Sequence, residues 1–455
     1  MNEMKREQGD INTSGMRNIY WERNLSPEAK KLIERDAKCF LHQNLSTPVM
    51  NVLSKTDGIY IYDTEGKKYI DMHGNGVHNA GFNNDYIIQK VIAALLAKTT
   101  FTPRRYTNIQ AIEFAEKLIS IAPEGLSRVL FAPGGSEAIE MAVMLAKQIT
   151  GRWKTISFWD SYHGNGFQAS SIGGEELFKG GNGPMVPGAY HVEFPNYYRN
   201  PWNFTTQEEV DNEILRQMEI LFEKEGEIAC LIGEPITSTP LIPSKNFWHK
   251  VKKLCEKHGA LLIFDEIIEG FGKTGKFFAC EHYVTPDILV LGKSFGGGLV
   301  PFAGIITKEE YNVLQNRSIG HFTHEKNGLC SVAGLAAIEY LTENKLVERA
   351  AETGKKALSF MQEMEKKHPL IGNVNGIGLH LGIELVKDRI TKEKAVDEAE
   401  SVMYMAMERG VAFKVIESNV ITMRPSLMIT SEEMIKSLEI IDECIGAVEK
   451  GIKYK

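Results

Sequence analysis

Between about residues 128 and 306 the chain alternates short apolar runs with helical patterns, and that alternation restricts it to a mostly parallel sheet with helices on both faces. The runs are Val129-Leu130-Phe131, Thr155-Ile156-Ser157-Phe158, Ala229-Cys230-Leu231-Ile232, Ala260-Leu261-Leu262-Ile263-Phe264 and Ile288-Leu289-Val290-Leu291. A helix starts at Ser136 and another spans 246–258. Ile288 to Leu291 is apolar at every position, which reads as a strand buried on both faces. The expected class is α/β.

The flanks read differently. Ser26 and Pro27 open a helix as N-cap and first helical residue. Two β-prone runs, 58–63 and 68–71, flank the turn Thr64-Glu65-Gly66 as a hairpin, and Gly74-Asn75-Gly76-Val77-His78 follows as a loop. Helices are expected near 85–98 and 109–122, joined by Thr102-Pro103-Arg104-Arg105-Tyr106. Beyond 330 come helices near 329–366, strands near 375–385 and 411–423, and a helix near 431–449. The expected organisation is an arm and hairpin at 1–74 belonging to a small domain, a large domain at 75–330, and a smaller α+β domain at 331–455.

With 455 residues, 43% hydrophobic and 24% charged, the chain is built like an ordinary enzyme and not like a disordered or repeat protein. A formal net charge of -7 with no Lys/Arg cluster argues against nucleic acid or an anionic membrane as partner. The six cysteines form no C-x-x-C pair, so neither a metal site nor a disulfide framework is expected. A polar start and the lack of an apolar run of about 18 residues lead to the expectation of a soluble, cytoplasmic protein.

Four segments carry chemical groups. Lys293 follows the strand 288–291 and precedes Gly296-Gly297-Gly298; partial loss of solvation there favours the neutral amine, a nucleophile toward an aldehyde. The plain alternative is a lysine snorkelling from a strand end. Gly134-Gly135-Ser136-Glu137 offers backbone N–H groups and a hydroxyl at a helix start, a phosphate cradle or a simple structural turn. The Walker pattern is missing, which argues against a nucleoside triphosphate. Asp265 stands at the carboxyl end of a buried run, where it could hold a heterocyclic nitrogen protonated or cap the next helix. Tyr162-His163-Gly164 offers an aromatic face for a flat ring, or a core tyrosine.

Taken together, these segments resemble the class III aminotransferases, pyridoxal-phosphate enzymes of fold type I, over nearly the whole chain from about Thr47. The resemblance rests on Gly134 to Ala138, Tyr162-His163-Gly164, Glu234-Pro235, Asp265-Glu266-Ile267 with Gly270-Phe271-Gly272-Lys273-Thr274-Gly275, Lys293 and Thr323. It implies pyridoxal 5'-phosphate held as a Schiff base on Lys293, with Asp265 at the ring nitrogen. It also implies that Gly135, Ser136, Tyr162, His163, Glu234, Ile267 and Ile268 line the cofactor site. By the same resemblance the protein is a homodimer, with Thr323 reaching the phosphate of the neighbouring subunit's cofactor.

The sequence departs from the family pattern at several places. Ile268 stands where many members have glutamine, Asn165 replaces an arginine, Gly328 replaces a proline, and Thr422 occupies a position often held by a carboxylate-binding arginine, with Arg424 two residues later. Phe40-Leu41-His42-Gln43, Arg104-Arg105-Tyr106-Thr107-Asn108 and Trp159-Asp160-Ser161 are similar to the subgroup containing the 1-hydroxy-2-aminoethylphosphonate ammonia-lyase, whereas Glu137 is similar to ordinary aminotransferases. The resulting expectation is transfer of an amino group from an anionic amine to a keto acid, with Arg104, Arg105, Arg424 and His78 as substrate contacts. The alternative is ammonia elimination from an amino-phosphonate. A non-catalytic binding protein is a third reading, against which Lys293 and Asp265 together argue.

Overall fold

The computed structural model describes residues 15–43 and 49–454; the polar stretch ahead of Gly15, and Thr47, lie outside the described residues. The chain divides into two compact units, 84–348 and 1–83 together with 349–455.

In the unit 84–348, Asp85–Leu96 (α1) and Ile109–Ile121 (α2) both start on asparagine caps, Asn84 and Asn108, whose side chains accept N–H groups of the first turn. Then come Leu126–Ala132 (β1), Gly135–Thr150 (α3), Lys154–Phe158 (β2), Ala189–Val192 (β3), Ile228–Gly233 (β4), Phe247–His258 (α4), Leu261–Asp265 (β5), Ile288–Leu291 (β6), Ala303–Lys308 (β7) and Gly328–Glu343 (α5). The sheet order is β1-β7-β6-β5-β4-β2-β3. Strand β7 runs antiparallel to β6 and β1, while the remaining pairings are parallel. Consequently β1, β2, β4, β5 and β6 all point their carboxyl ends to one edge.

Helix α3 buries Ile139, Met141, Val143 and Leu145 against this sheet, each side chain contributing roughly 1.5–3 kcal/mol relative to exposure. Its apolar positions run almost all round, as a helix packed flat on a buried sheet requires. Gly151 at φ 67° then closes it in the left-handed conformation that glycine adopts at least cost.

The other unit joins the N-terminal arm to the C-terminal segment. Helix Pro27–Cys39 is capped as expected, Ser26 accepting the Ala29 N–H at 3.1 Å. Strands Leu53–Asp57, Tyr60–Asp63 and Lys68–Asp71 form an antiparallel meander, to which Val411–Ala412 adds in parallel. A second sheet of Ile371–Ile377, His380–Leu385, Val420–Met423 and Lys414–Ile416 packs with helix Val396–Glu408, against which Ser431–Glu449 lies.

The division falls at 83/84 and 348/349, where the sequence reading put boundaries at 74/75 and 330/331. The loop after Gly74 stays with the hairpin because Gly58 and Phe82 exchange backbone hydrogen bonds of 2.9 and 2.7 Å. Helix α5 stays with the larger sheet because it packs on α1 and α2, and Tyr86 donates to Glu339 Oε2 at 2.7 Å.

Candidate active site

The shared carboxyl edge of the sheet collects most of the chemistry. Gly135 and Ser136 follow β1, Tyr162 and His163 follow β2, Glu234 follows β4, Asp265 closes β5, and Lys293 lies two residues past β6. Asp265 is in register with Val290, and the Glu266 N–H donates to the Val290 carbonyl at 2.9 Å, so the aspartate and lysine leave neighbouring strands together. Crevices outside the carboxyl ends of such strands are where open α/β sheets bind ligands. Lys293 is half-buried, opens the turn Lys293–Gly296, and sits at φ 47°, a left-handed conformation that costs a side-chain-bearing residue about 1–2 kcal/mol.

Asp265 is held from two sides. Its Oδ1 accepts the Ile267 N–H at 3.1 Å, and its Oδ2 lies 2.8 Å from His163 Nδ1. Both residues are buried, at 3% and 2% exposure. A carboxylate there fixes the imidazole donor on Nδ1, and Nε2, also buried, has no hydrogen-bond partner among the described residues. Ile267 wedges between two turns. A Cβ on Gly135 would come within 2.8 Å of Ile267 Cδ1, and one on Gly292 within 3.2 Å of Ile267 Cγ1. Those two glycines therefore allow the phosphate-type turn and the lysine turn to close on the same side chain.

The N-terminus of α3 is left without a side-chain cap at Gly134, so its first-turn N–H groups face outward unspent by any capping group. Ser136 Oγ accepts the Asn165 N–H at 3.1 Å, which leaves its own proton to donate. Gly164 lies across this turn at φ 125°, where a Cβ would sit 2.5 Å from Ser136 Oγ and 2.8 Å from Ser136 Cα. The Tyr-His-Gly loop and the α3 N-terminus are thus in van der Waals contact through a position that excludes any side chain.

Tyr162 is half-exposed, and its hydroxyl donates to Asn165 Oδ1 at 3.2 Å. Burial raises its pKa, so it stays protonated through the neutral range. Phe178, from the four-residue helix Glu176–Lys179, packs on the Tyr162 ring at 4.4 Å between centroids. The sequence gives no signal for Phe178, because a single turn of helix between glycine pairs has no period to read. Glu234 is buried at the end of β4, Ile268 is half-buried beside Ile267, and Thr323 is exposed.

The cations expected to meet substrate lie in different settings. Arg104 is engaged by the loop 321–325: it donates to the Phe322 carbonyl at 2.6 Å and to the His321 ring, and its Nε lies 3.6 Å from Glu325 Oε2. Arg105 is exposed. In the other unit, Arg424 is buried at 5% exposure with Nη2 against His73 Nε2; His73 Nδ1 accepts the Asn75 N–H at 3.2 Å. His78 stacks on Phe82 at 4.4 Å and lies 3.7 Å from Asp71.

The edge of the larger sheet fits a phosphorylated, cationic heterocycle. The uncapped α3 N-terminus and Ser136 hydroxyl suit its phosphate, the buried Asp265 carboxylate its ring nitrogen, and the Lys293 amine a carbonyl carbon. Residues 42–445 match the aminotransferase class-III family, and the chain belongs to it. It is a pyridoxal-phosphate-dependent enzyme with the fold type I architecture.

Among its relatives, the (R)-1-hydroxy-2-aminoethylphosphonate ammonia-lyase of Vibrio splendidus is 39% identical, the alignment covering 99% of this chain and 97% of that one. The adenosylmethionine-8-amino-7-oxononanoate aminotransferase of Staphylococcus aureus is 36% identical, with 87% and 91% covered. The omega transaminase of Pseudomonas jessenii, solved in complex with PMP, superposes at a TM-score of 0.84 with 28% identity, covering 92% of this chain and 98% of that one.

Proposed function

We propose that the enzyme releases ammonia from a short amine that carries a hydroxyl on the neighbouring carbon and a phosphonate, of the 1-hydroxy-2-aminoethylphosphonate type. The observation that carries this reading is the 39% identity to the lyase over 99% of the chain. Pyridoxal phosphate, when bound, supplies a carbonyl that captures the amine and a ring that takes up the electrons of a broken C–H bond. Lys293 Nζ takes the proton from the amine-bearing carbon. Asp265, held by His163 and the Ile267 N–H, would set its carboxyl against the ring nitrogen. The Gly135 and Ser136 N–H groups and the Ser136 hydroxyl would hold the cofactor's phosphate, and Tyr162 would cover one ring face. The hydroxyl leaves as water and water re-enters, so the substrate ends as an aldehyde and ammonia with no amino acceptor.

Transamination of an anionic amine to a keto acid is the second reading, favoured by Glu137 and by the aminotransferase at 36% identity. Supplying 1-hydroxy-2-aminoethylphosphonate without a keto acid decides between them. Sustained ammonia release supports elimination; release limited to one turnover, restored by a keto acid, supports transfer.

The same proposal includes a cytoplasmic homodimer in which Thr323 completes the partner's phosphate site. Ile92, Leu95, Leu96, Phe101, Tyr106 and Ile109 are exposed within one short segment, which suits a buried subunit interface. Arg105 is its candidate for the phosphonate, since a guanidinium grips such a group through two hydrogen bonds. Its lysine variant should raise KM for the phosphonate and spare a neutral amine; equal behaviour toward both would remove that assignment.

A further inference from the structure

The segment 101–108 and the loop 321–326 are fastened together at several points. Arg104 spans three groups of the loop: the His321 ring, the Phe322 carbonyl at 2.6 Å and the Glu325 carboxylate at 3.6 Å. Asn108, while capping α2 through Oδ1, donates from Nδ2 to the Lys326 carbonyl at 2.8 Å, and Phe101 meets the His324 ring edge-on at 5.3 Å. Thr323 is exposed between these anchored residues. A planar guanidinium with five donors can hold two flanks of a loop at once, which an ammonium cannot.

We propose that Arg104 is a positioning residue that sets the Thr323 loop, and through it the cofactor affinity of the neighbouring subunit, and that it is not a substrate contact. This rests on the reading that Thr323 completes the partner's phosphate site. Without the guanidinium, the Phe322 carbonyl and Glu325 lose their common partner and the loop holds Thr323 less rigidly. The loss is felt as weaker pyridoxal phosphate binding, while the amine's KM at saturating cofactor is untouched.

The test measures cofactor dissociation by absorbance in wild type, Arg104→Gln, Arg104→Lys, Glu325→Gln and Thr323→Ala, and in the double variant of Arg104→Gln with Thr323→Ala. Arg104→Gln should weaken cofactor binding about tenfold, with Arg104→Lys and Glu325→Gln between it and wild type. In the Thr323→Ala background the Arg104 change should add nothing further. Mixed dimers of Lys293→Ala and Arg104→Gln subunits supply the trans readout. Borohydride fixes cofactor only at the site that has Lys293, and that site receives the intact Arg104 loop from its partner, so its retention should return to the wild-type level. An Arg104→Gln enzyme with normal cofactor affinity and a raised amine KM overturns the proposal, as does a full additional loss in the Thr323→Ala background. Normal cofactor affinity in Thr323→Ala alone instead removes the reading beneath it.

Discussion

His163 Nδ1 lies 2.8 Å from Asp265 Oδ2, with both side chains buried at the carboxyl edge of the larger sheet. The histidine orients the carboxyl that the proposal sets against the cofactor's ring nitrogen. Replacing it with leucine strips a buried charge of a hydrogen bond, worth about 1.5–3 kcal/mol, so turnover should fall roughly tenfold to a hundredfold with the cofactor retained. Asparagine at 163, which can still donate, should restore part of the rate, and Asp265→Asn should cost more than either. Turnover per bound cofactor is the measurement; an unchanged value in His163→Leu would make the pair a packing feature alone.

Lys293 combines its proposed chemical role with a strained backbone at φ 47°. Alanine and glycine at 293 should both abolish turnover while the protein stays folded. The glycine variant should be the more stable of the two by about 1 kcal/mol, because it adopts the left-handed conformation without a Cβ penalty. Urea denaturation of the two apo-proteins compares them directly, and equal midpoints would deny any strain at this residue.

Gly164 admits no side chain: its φ is 125° and a Cβ would lie 2.8 Å from Ser136 Cα. Gly164→Ala should therefore push the Tyr-His-Gly loop off the α3 N-terminus, at a cost of about 2–3 kcal/mol. The expected signature is a large loss of cofactor affinity with a smaller drop in melting temperature. Wild-type affinity in that variant would mean the loop can move aside freely.

Glu266 is fully buried, and burial raises its pKa to about 7 from an ordinary 4.5, although the Ala279 and Cys280 N–H groups both donate to it. A carboxyl whose folded pKa lies above its unfolded one binds more protons in the native state across that interval. Its stabilising share is complete below about pH 4.5 and is lost as pH rises through about 7, on the order of 3 kcal/mol. Melting temperature followed from pH 5 to pH 8 should lose this downward component in Glu266→Gln; parallel curves for the two proteins would show that the carboxyl does not titrate there.

The strands Leu261–Asp265 and Ile288–Leu291 were readable because they are apolar runs, and so were the places of Asp265 at the end of one and Lys293 two residues past the other; Ala189–Val192, four residues of mixed polarity, was not. The terminal helix was equally plain, since Thr430 and Glu433 form a capping box at its start. The setting of Arg104 was not legible. Two adjacent arginines in a proline-containing loop resemble an anion clamp in one dimension, but the groups that occupy Arg104 lie 217 and 218 residues further along the chain. Gly164 was legible as part of a motif and not as a steric necessity, because only the fold brings Ser136 beneath it. The first helix, Gly15–Asn24, has too weak an amphipathic pattern to stand out.

Ile267 touches the places where Cβ atoms on Gly135 and Gly292 would be, so one aliphatic side chain is the spacer between the two loops to which the proposal gives different chemical duties. Such an arrangement limits how this enzyme can change over generations. A larger residue at 135 or 292 becomes acceptable only after 267 has shrunk, and a smaller residue at 267 opens a gap that only one of the two glycines can fill. Variants with altered substrate range should therefore accumulate changes elsewhere around the pocket first, while these three positions change together or stay as they are.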